Sequence, residues 1–252
     1  MSTPLRYARH LPLTGFGAEG QRRLATTRVL VIGIGGLGCP VAAYLTAAGV
    51  GQLVLNDFDT VDETNLARQF LYTADDLGKR KVEIAAARLH IINGAVRHEM
   101  IDRRLEGEAL AAAVRDADVV VDASDNFATR FAVNAACVSA GVPLVSGAVI
   151  RMEGQVAVFP NDGASACYRC VFPDEGGPQE TCSDTGVLAP LPGVVGSIQA
   201  VEALKLLTGL GRPLINRLLL LDALEMEWRM VRLARDPACP VCGAGEGLGT
   251  GG

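Results

Sequence analysis

Continuous apolar runs and apolar helical faces take turns along most of this chain. The first run, 29–32, has no polar alternation and breaks into Gly33, Gly35, Gly36 and Gly38, four glycines within six residues. An unbroken Val/Leu/Ile run reads as a strand buried on both faces, the kind found in parallel sheets. Val41, Leu45 and Ala48 follow at helical spacing until Gly49 and Gly51 stop them, and a second apolar strand, 52–55, leads to Asp57. After a polar stretch and a short helix carrying Arg68 and Gln69, a helix is predicted over about 79–93, with Val82, Ala85, Ala86 and Leu89 on its apolar side. A helix at 106–116 precedes the strand 118–122 (DVVVD); a helix bearing Arg130 and strands at 143–146 and 155–159 come next. Strand–helix alternation up to about 147 predicts an α/β fold, a doubly wound and mostly parallel sheet, with ligands at the C-terminal ends of its strands.

Beyond that point the pattern changes. Residues 173–196 hold four prolines and five glycines and read as one long loop. A helix at about 197–208 follows, with Ile198, Val201, Leu204 and Leu207 on one face. The stretch 217–233 reads as an antiparallel strand pair. In its second strand Met226, Trp228 and Met230 alternate with Glu225, Glu227 and Arg229, which predicts one buried face. Residues 5–25 form a basic helical arm interrupted around 12–17. Its arginines, Arg6, Arg9, Arg22 and Arg23, are those of an ordinary solvated face. No linker divides the chain, so one domain is expected, with an arm at about 1–25 and a flexible tail at about 244–252.

Charge and composition narrow the function classes. A net charge of −5 argues against a nucleic-acid binder held by phosphate contacts. No apolar stretch reaches the length of a membrane span, and MSTPLRYARH lacks the apolar core of a signal peptide, so a cytoplasmic location is expected. Four of the seven cysteines form two Cys-x-x-Cys pairs, Cys167/Cys170 and Cys239/Cys242. In a reducing compartment such pairs point to a closed, tetrahedral Zn²⁺ site, the rival being a redox pair. Cys39 and Cys137, in apolar surroundings, read as packing residues. His10, His90 and His98 share no metal-ligand spacing.

Gly33, Gly35 and Gly38 fit G-x-G-x-x-G. Missing side chains let backbone amides approach a phosphate where the helix dipole favours anions. Asp57, 19 residues past Gly38, stands where an acidic ribose-binding residue belongs. Alone, this specifies a nucleotide and no more.

The ordered set RYARH, GIGGLGC, DFDTVDETNLARQF, GKRKVE, DASDN, SGAVIRMEGQ, CYRC, TCSDTGVLAP and CPVC resembles the E1-like adenylyltransferases of the MoeB/ThiF type, which activate ubiquitin-like sulfur carriers. The resemblance spans Arg6 to Gly243 and is nearer to the MoeB branch. It implies attack by the C-terminal Gly-Gly carboxylate of a small carrier protein on the α-phosphate of ATP, with release of pyrophosphate. Such a reaction needs its charge repulsion removed and its reactants aligned more than it needs a base. The resemblance would give Gly36 and its neighbours the phosphates, Asp57 the ribose, and Thr64, Asn65, Leu66, Arg68 and Lys81 the surroundings of the triphosphate. Asp125 would hold Mg²⁺, and Asn126 and Arg130 would line the same rim. Arg9 would reach into the partner's site of a homodimer. Cys182, in the long loop, is a candidate for bonding to the carrier or handling sulfur, its rival being an unreactive loop cysteine.

Blander readings stand beside these. Arg68 and Lys81 could be surface charges, Asp125 a turn former, Asp57 a cap, and Asp59, Asp62 and Glu63 simply solvated loop. An NAD-dependent oxidoreductase would use the glycine turn and Asp57 but leaves Arg68, Lys81, Asp125 and the paired cysteines without a role. A catalytically silent binding scaffold leaves the same charges unexplained.

Overall fold

The computed structural model describes residues 5–172 and 186–243. Its strands are β1 (Arg28–Ile32), β2 (Gln52–Asn56), β3 (Arg97–Ile101), β4 (Val119–Asp122), β5 (Leu144–Ile150), β6 (Glu153–Phe159), β7 (Arg217–Asp222) and β8 (Glu227–Arg232). They form one sheet in the order β3-β2-β1-β4-β5-β6-β7-β8. The first five are parallel and the last three run on antiparallel. The helices are α1 (Gly17–Leu24), α2 (Gly38–Ala48), α3 (Lys81–Ile92), α4 (Gly107–Arg115), α5 (Phe127–Ala140), the single turn α6 (Tyr168–Val171) and α7 (Leu191–Thr208).

The unbroken apolar runs follow from a sheet covered on both sides. Val29 and Val31 of β1 join Leu45, Leu53, Leu55, Val195 and Ala203 in the core of one face. Leu30 and Ile32 join Val120, Val133, Phe159 and Tyr168 on the other. Alternate residues thus enter different cores, so no position is left for a polar residue.

Four expectations are corrected. Strand β3 has no apolar signature because it is the sheet edge: its Glu99 accepts from Arg28 Nη1 at 2.9 Å and from Gln52 Nε2 at 2.7 Å. The short helix over Arg68 and Gln69 is a 3-10 turn, Glu63–Asn65, followed by further turns.

Helix α7 starts at Leu191 and not at about 197, because Pro192 lies in the first turn, where its missing N–H has no helical partner to lose. Its buried face is also different. Val195, Gly196, Gln199 and Ala203 face inward, while Val201 is half exposed. Close approach to α2 selects this face: a Cβ on Gly196 would stand 2.4 Å from the Leu37 carbonyl oxygen.

The fourth correction concerns β8, where both faces are exposed, Trp228 and Met230 included. The strand pairs with β7, but none of the described helices covers it. No described helix is long and apolar enough to cross a membrane.

Candidate nucleotide site and metal centre

The glycine turn after β1 lies midway along the C-terminal edge of the parallel strands, with the end of β2 on one side and the end of β4 on the other. A cleft opens there, lined by Gly33, Gly35 and Gly36 below and by side chains from both flanking strand ends.

From the β2 side comes Asp57, whose carboxylate accepts from the Ile34 N–H at 2.8 Å and the Asp59 N–H at 2.9 Å. One of these bonds reaches into the glycine turn, so Asp57 ties the turn to β2, and each carboxylate oxygen keeps a lone pair for a hydroxyl donor. Burial raises its pKa above the ordinary carboxylate value, against the lowering effects of Lys81 and the two N–H donors. Lys81, the first residue of α3, is buried and its ammonium donates to Asp59 Oδ2 at 3.0 Å. A buried ammonium needs such a partner. Asp59 is an exposed loop residue, as read from the sequence, but it also lines the cleft and pairs with the buried lysine. Arg68 is half-buried on the same wall, steadied by a bond from Nη1 to the Thr64 carbonyl at 2.8 Å.

From the β4 side come Asp125, Asn126 and Arg130. Asp125 is exposed at the cleft. Asn126 caps α5, its Oδ1 accepting from the Thr129 N–H at 2.9 Å, which leaves its amide nitrogen toward the rim. Arg130 is buried, with Nη2 donating to the Ser124 carbonyl at 2.8 Å and its guanidinium 5.4 Å from the Phe127 ring centroid. Below it the Asp122 carboxyl is fully buried, and burial pushes its pKa up.

Not every expected residue reaches the cleft. Thr64, Asn65 and Leu66 do not line it; the Thr64 hydroxyl and N–H both go to Asp62, at 2.6 and 2.8 Å, so Asp62 caps the 3-10 turn. Arg9 is exposed on the arm and does not line its own chain's cleft. Cys182 and the 244–252 tail lie outside the described residues. Cys39 and Cys137 are buried packing residues, and burial lifts the Cys39 thiol to about 12. Among the lining residues to which the sequence reading gave no role are Asp59, Arg104 and Gln69, the last beside Gly35.

The two cysteine pairs meet although the chain separates them. Their sulfurs lie within 4.8 Å of one another, with Cys167–Cys170 at 3.9 Å, Cys167–Cys239 at 3.7 Å and Cys170–Cys242 at 3.3 Å. A tetrahedral Zn–S₄ site with bonds near 2.3 Å needs sulfurs about 3.8 Å apart, so the donor set fits that ion. A second layer is present. The buried Asn134 of α5 donates from Nδ2 to Cys167 Sγ at 3.7 Å and accepts from the Tyr168 N–H at 2.9 Å, while the Asp236 N–H points to Cys170 Sγ at 3.4 Å.

The model of the ThiF family matches residues 7–241. The chain belongs to the ThiF family. The molybdopterin-synthase adenylyltransferase of Escherichia coli K12 is 46% identical over 239 residues, covering 95% of this chain and 96% of that protein. A sulfur carrier protein adenylyltransferase of Thermus thermophilus is 48% identical, over 94% of this chain and 90% of its own. The E. coli ThiS adenylyltransferase is 43% identical, over 95% of each chain. Among solved structures, E. coli MccB with AMPCPP and MccA superposes with a TM-score of 0.83 at 26% identity, over 94% of this chain and 74% of that one. This ThiF-family chain is an adenylyltransferase of the MoeB/ThiF type, and its glycine-lined cleft is flanked by Asp57, Arg68 and Lys81 on the β2 side and by Asp125 and Arg130 on the β4 side.

Proposed function

We propose that this enzyme adenylylates the C-terminal Gly-Gly carboxylate of a small ubiquitin-like sulfur carrier protein. A carboxylate oxygen forms a bond to the α-phosphorus of ATP, the bond from that phosphorus to the bridging oxygen breaks, and pyrophosphate leaves with the electron pair. The observation that carries this reading is the placement of Lys81 and Arg68 across the glycine turn from Asp125. Two anions must meet, and fixed cations remove their repulsion without reorganising. Asp57 would hold the ribose hydroxyls. Asp125 would hold Mg²⁺, which neutralises phosphate charge when bound. Asn126 and Arg130 would line the rim through which the carboxylate enters. From there a groove of about 560 Å³, lined by Ala148, Ile150, Gln155 and Leu220 and edged by Glu153 and Arg229, runs along β5–β8 and is the candidate seat for the carrier's tail. The chain acts as a single domain and a cytoplasmic homodimer in which Arg9 serves the partner's cleft. Cys182 is the candidate for a bond to the carrier.

The test is to incubate the enzyme with candidate Gly-Gly carriers and Mg·ATP and to weigh the carrier. Carrier mass increased by one AMP is the expected result. No adduct with any carrier, together with thermal stabilisation by NAD and not by Mg·ATP, would replace this reading with the oxidoreductase one.

The cysteine cluster is proposed to hold a structural Zn²⁺ that ties the segment at α6 to residues 239–242. Closing a loop of this size contributes roughly 4 kcal/mol. Stripping the metal should therefore lower the melting temperature by on the order of 10 °C. Asn134→Ala should release zinc to a chromophoric chelator about 10- to 100-fold faster than wild type. Metal analysis giving well under one zinc per chain would remove the assignment.

A further inference from the structure

Gln69 occupies an unusual position. It is only 4% exposed, yet its Oε1 is buried without a hydrogen-bond partner, and its amide nitrogen has none among the described residues. Buried polar groups are nearly always satisfied, and an orphaned one opposes folding. A methionine or leucine would fill the same space without that cost. The amide also lies on the wall of the nucleotide cleft, with Nε2 only 3.5 Å from where a Cβ on Gly35 would stand.

The surrounding backbone fixes it there. The Gln69 N–H donates to the Asn65 carbonyl at 3.0 Å, and the Tyr72 N–H donates to the Gln69 carbonyl at 3.0 Å. The Tyr72 hydroxyl in turn donates to the Ile34 carbonyl at 2.7 Å, inside the glycine turn itself. The segment carrying Gln69 is thus sewn to the turn, and its amide nitrogen stands against Gly35 on the cleft wall. A carboxamide can present either its NH₂ or its oxygen by turning about its last bond, and an anion selects the NH₂.

We infer that Gln69 is a phosphate-binding residue, whose amide N–H donates to an oxygen of the nucleotide's phosphate chain beside Gly35. The inference rests on the adenylyltransferase reading for the nucleotide's identity.

The experiment measures binding of Mg·ATP and of adenosine to wild type, Gln69→Met and Gln69→Glu by calorimetry, alongside melting temperatures without ligand. Gln69→Met keeps the volume and removes the donor. It should melt at or above the wild-type temperature, bind adenosine as wild type does, and bind Mg·ATP about tenfold or more weakly, as loss of a charge-assisted hydrogen bond predicts. Gln69→Glu places a negative charge against the phosphates and should lose more than Gln69→Met. Mg·ATP affinity within twofold of wild type in Gln69→Met overturns the inference. So does a lower melting temperature with equal losses for ATP and adenosine, which marks a packing role. The adenylyltransferase reading fails separately, if wild type binds Mg·ATP but transfers no AMP to any Gly-Gly carrier.

Discussion

Asp125→Asn is expected to cut carrier-dependent ATP–pyrophosphate exchange by about a thousandfold while leaving the melting temperature within a degree or two of wild type. Asp125 is exposed at the cleft, and among the described residues its carboxylate accepts a side-chain hydrogen bond from the Asn126 amide alone, at 3.5 Å. The cap of α5 belongs to Asn126, which accepts the Thr129 N–H, so the fold asks nothing of the Asp125 carboxylate. Its charge is a different matter. An amide is nearly isosteric but neutral, and divalent cations such as Mg²⁺ are held through carboxylates and phosphates. A thousandfold loss corresponds to roughly 4 kcal/mol of transition-state stabilisation, within what removal of one electrostatic element costs in other enzymes. The assay is pyrophosphate exchange over a range of Mg²⁺ concentrations beside a thermal melt. Unchanged exchange would sink the magnesium role, and a collapsed melting temperature would mean that the carboxylate serves the fold.

The second large effect is structural. Gly38→Ala should cost about 3 kcal/mol or more, at the upper end of what overpacking usually costs. A Cβ on Gly38 would stand 1.9 Å from the Gly33 carbonyl oxygen and 2.9 Å from its carbon. Both obstacles are backbone, so no rotamer change relieves them. Gly33 cannot retreat: its N–H donates to the Asn56 carbonyl at 2.8 Å, and it holds φ +86° against the Ala123 carbonyl. For a chain of this size the expected fall in melting temperature is about 6–12 °C or more. Gly36→Ala is the control. Its Cβ would meet the Pro192 ring at 3.0 Å, a contact with side chain and not with main chain, so it should melt much nearer to wild type. Equal melting temperatures for Gly38→Ala and wild type would show that the turn does not have this geometry.

The parallel half of the sheet is legible because strands buried on both faces leave no alternation to misread, and because glycines bracket α2. The metal cluster is legible from spacing alone, since two Cys-x-x-Cys pairs restrict the chemistry before any geometry is known. The failures have physical reasons. Strand β3 is an edge whose polar side chains find partners on β1 and β2, so its pattern carries no apolar period. On α7 the leucines imply one stripe, but intimate packing through Gly196 rotates a different one, Gln199 included, toward the sheet. Trp228 and Met230 alternate as a buried face does, yet the described chain leaves them uncovered. Asp59 is assigned to Lys81 by tertiary proximity across 22 residues, which no local rule reaches. The isolation of the Gln69 amide is the absence of a partner, and a sequence pattern does not encode an absence.

The end of α2 has a consequence of another kind. Gly49 stops the helix in the left-handed conformation, and the room left by its missing Cβ is filled by the Tyr7 hydroxyl, which a Cβ would approach to 2.3 Å. The same hydroxyl accepts from Asn93 Nδ2 at 2.8 Å, beyond the end of α3. Arg9 follows two residues later, so at most about 7 Å of chain separates it from this pin. The arm is therefore a bracket bolted to the body of the fold, and the reach of its arginine is set by a glycine remote from the cleft. A bulkier residue at 49 would read in a catalogue of variants as a lengthened helix; what it would dislodge is the one arginine whose task, on the proposed assembly, lies in the neighbouring subunit.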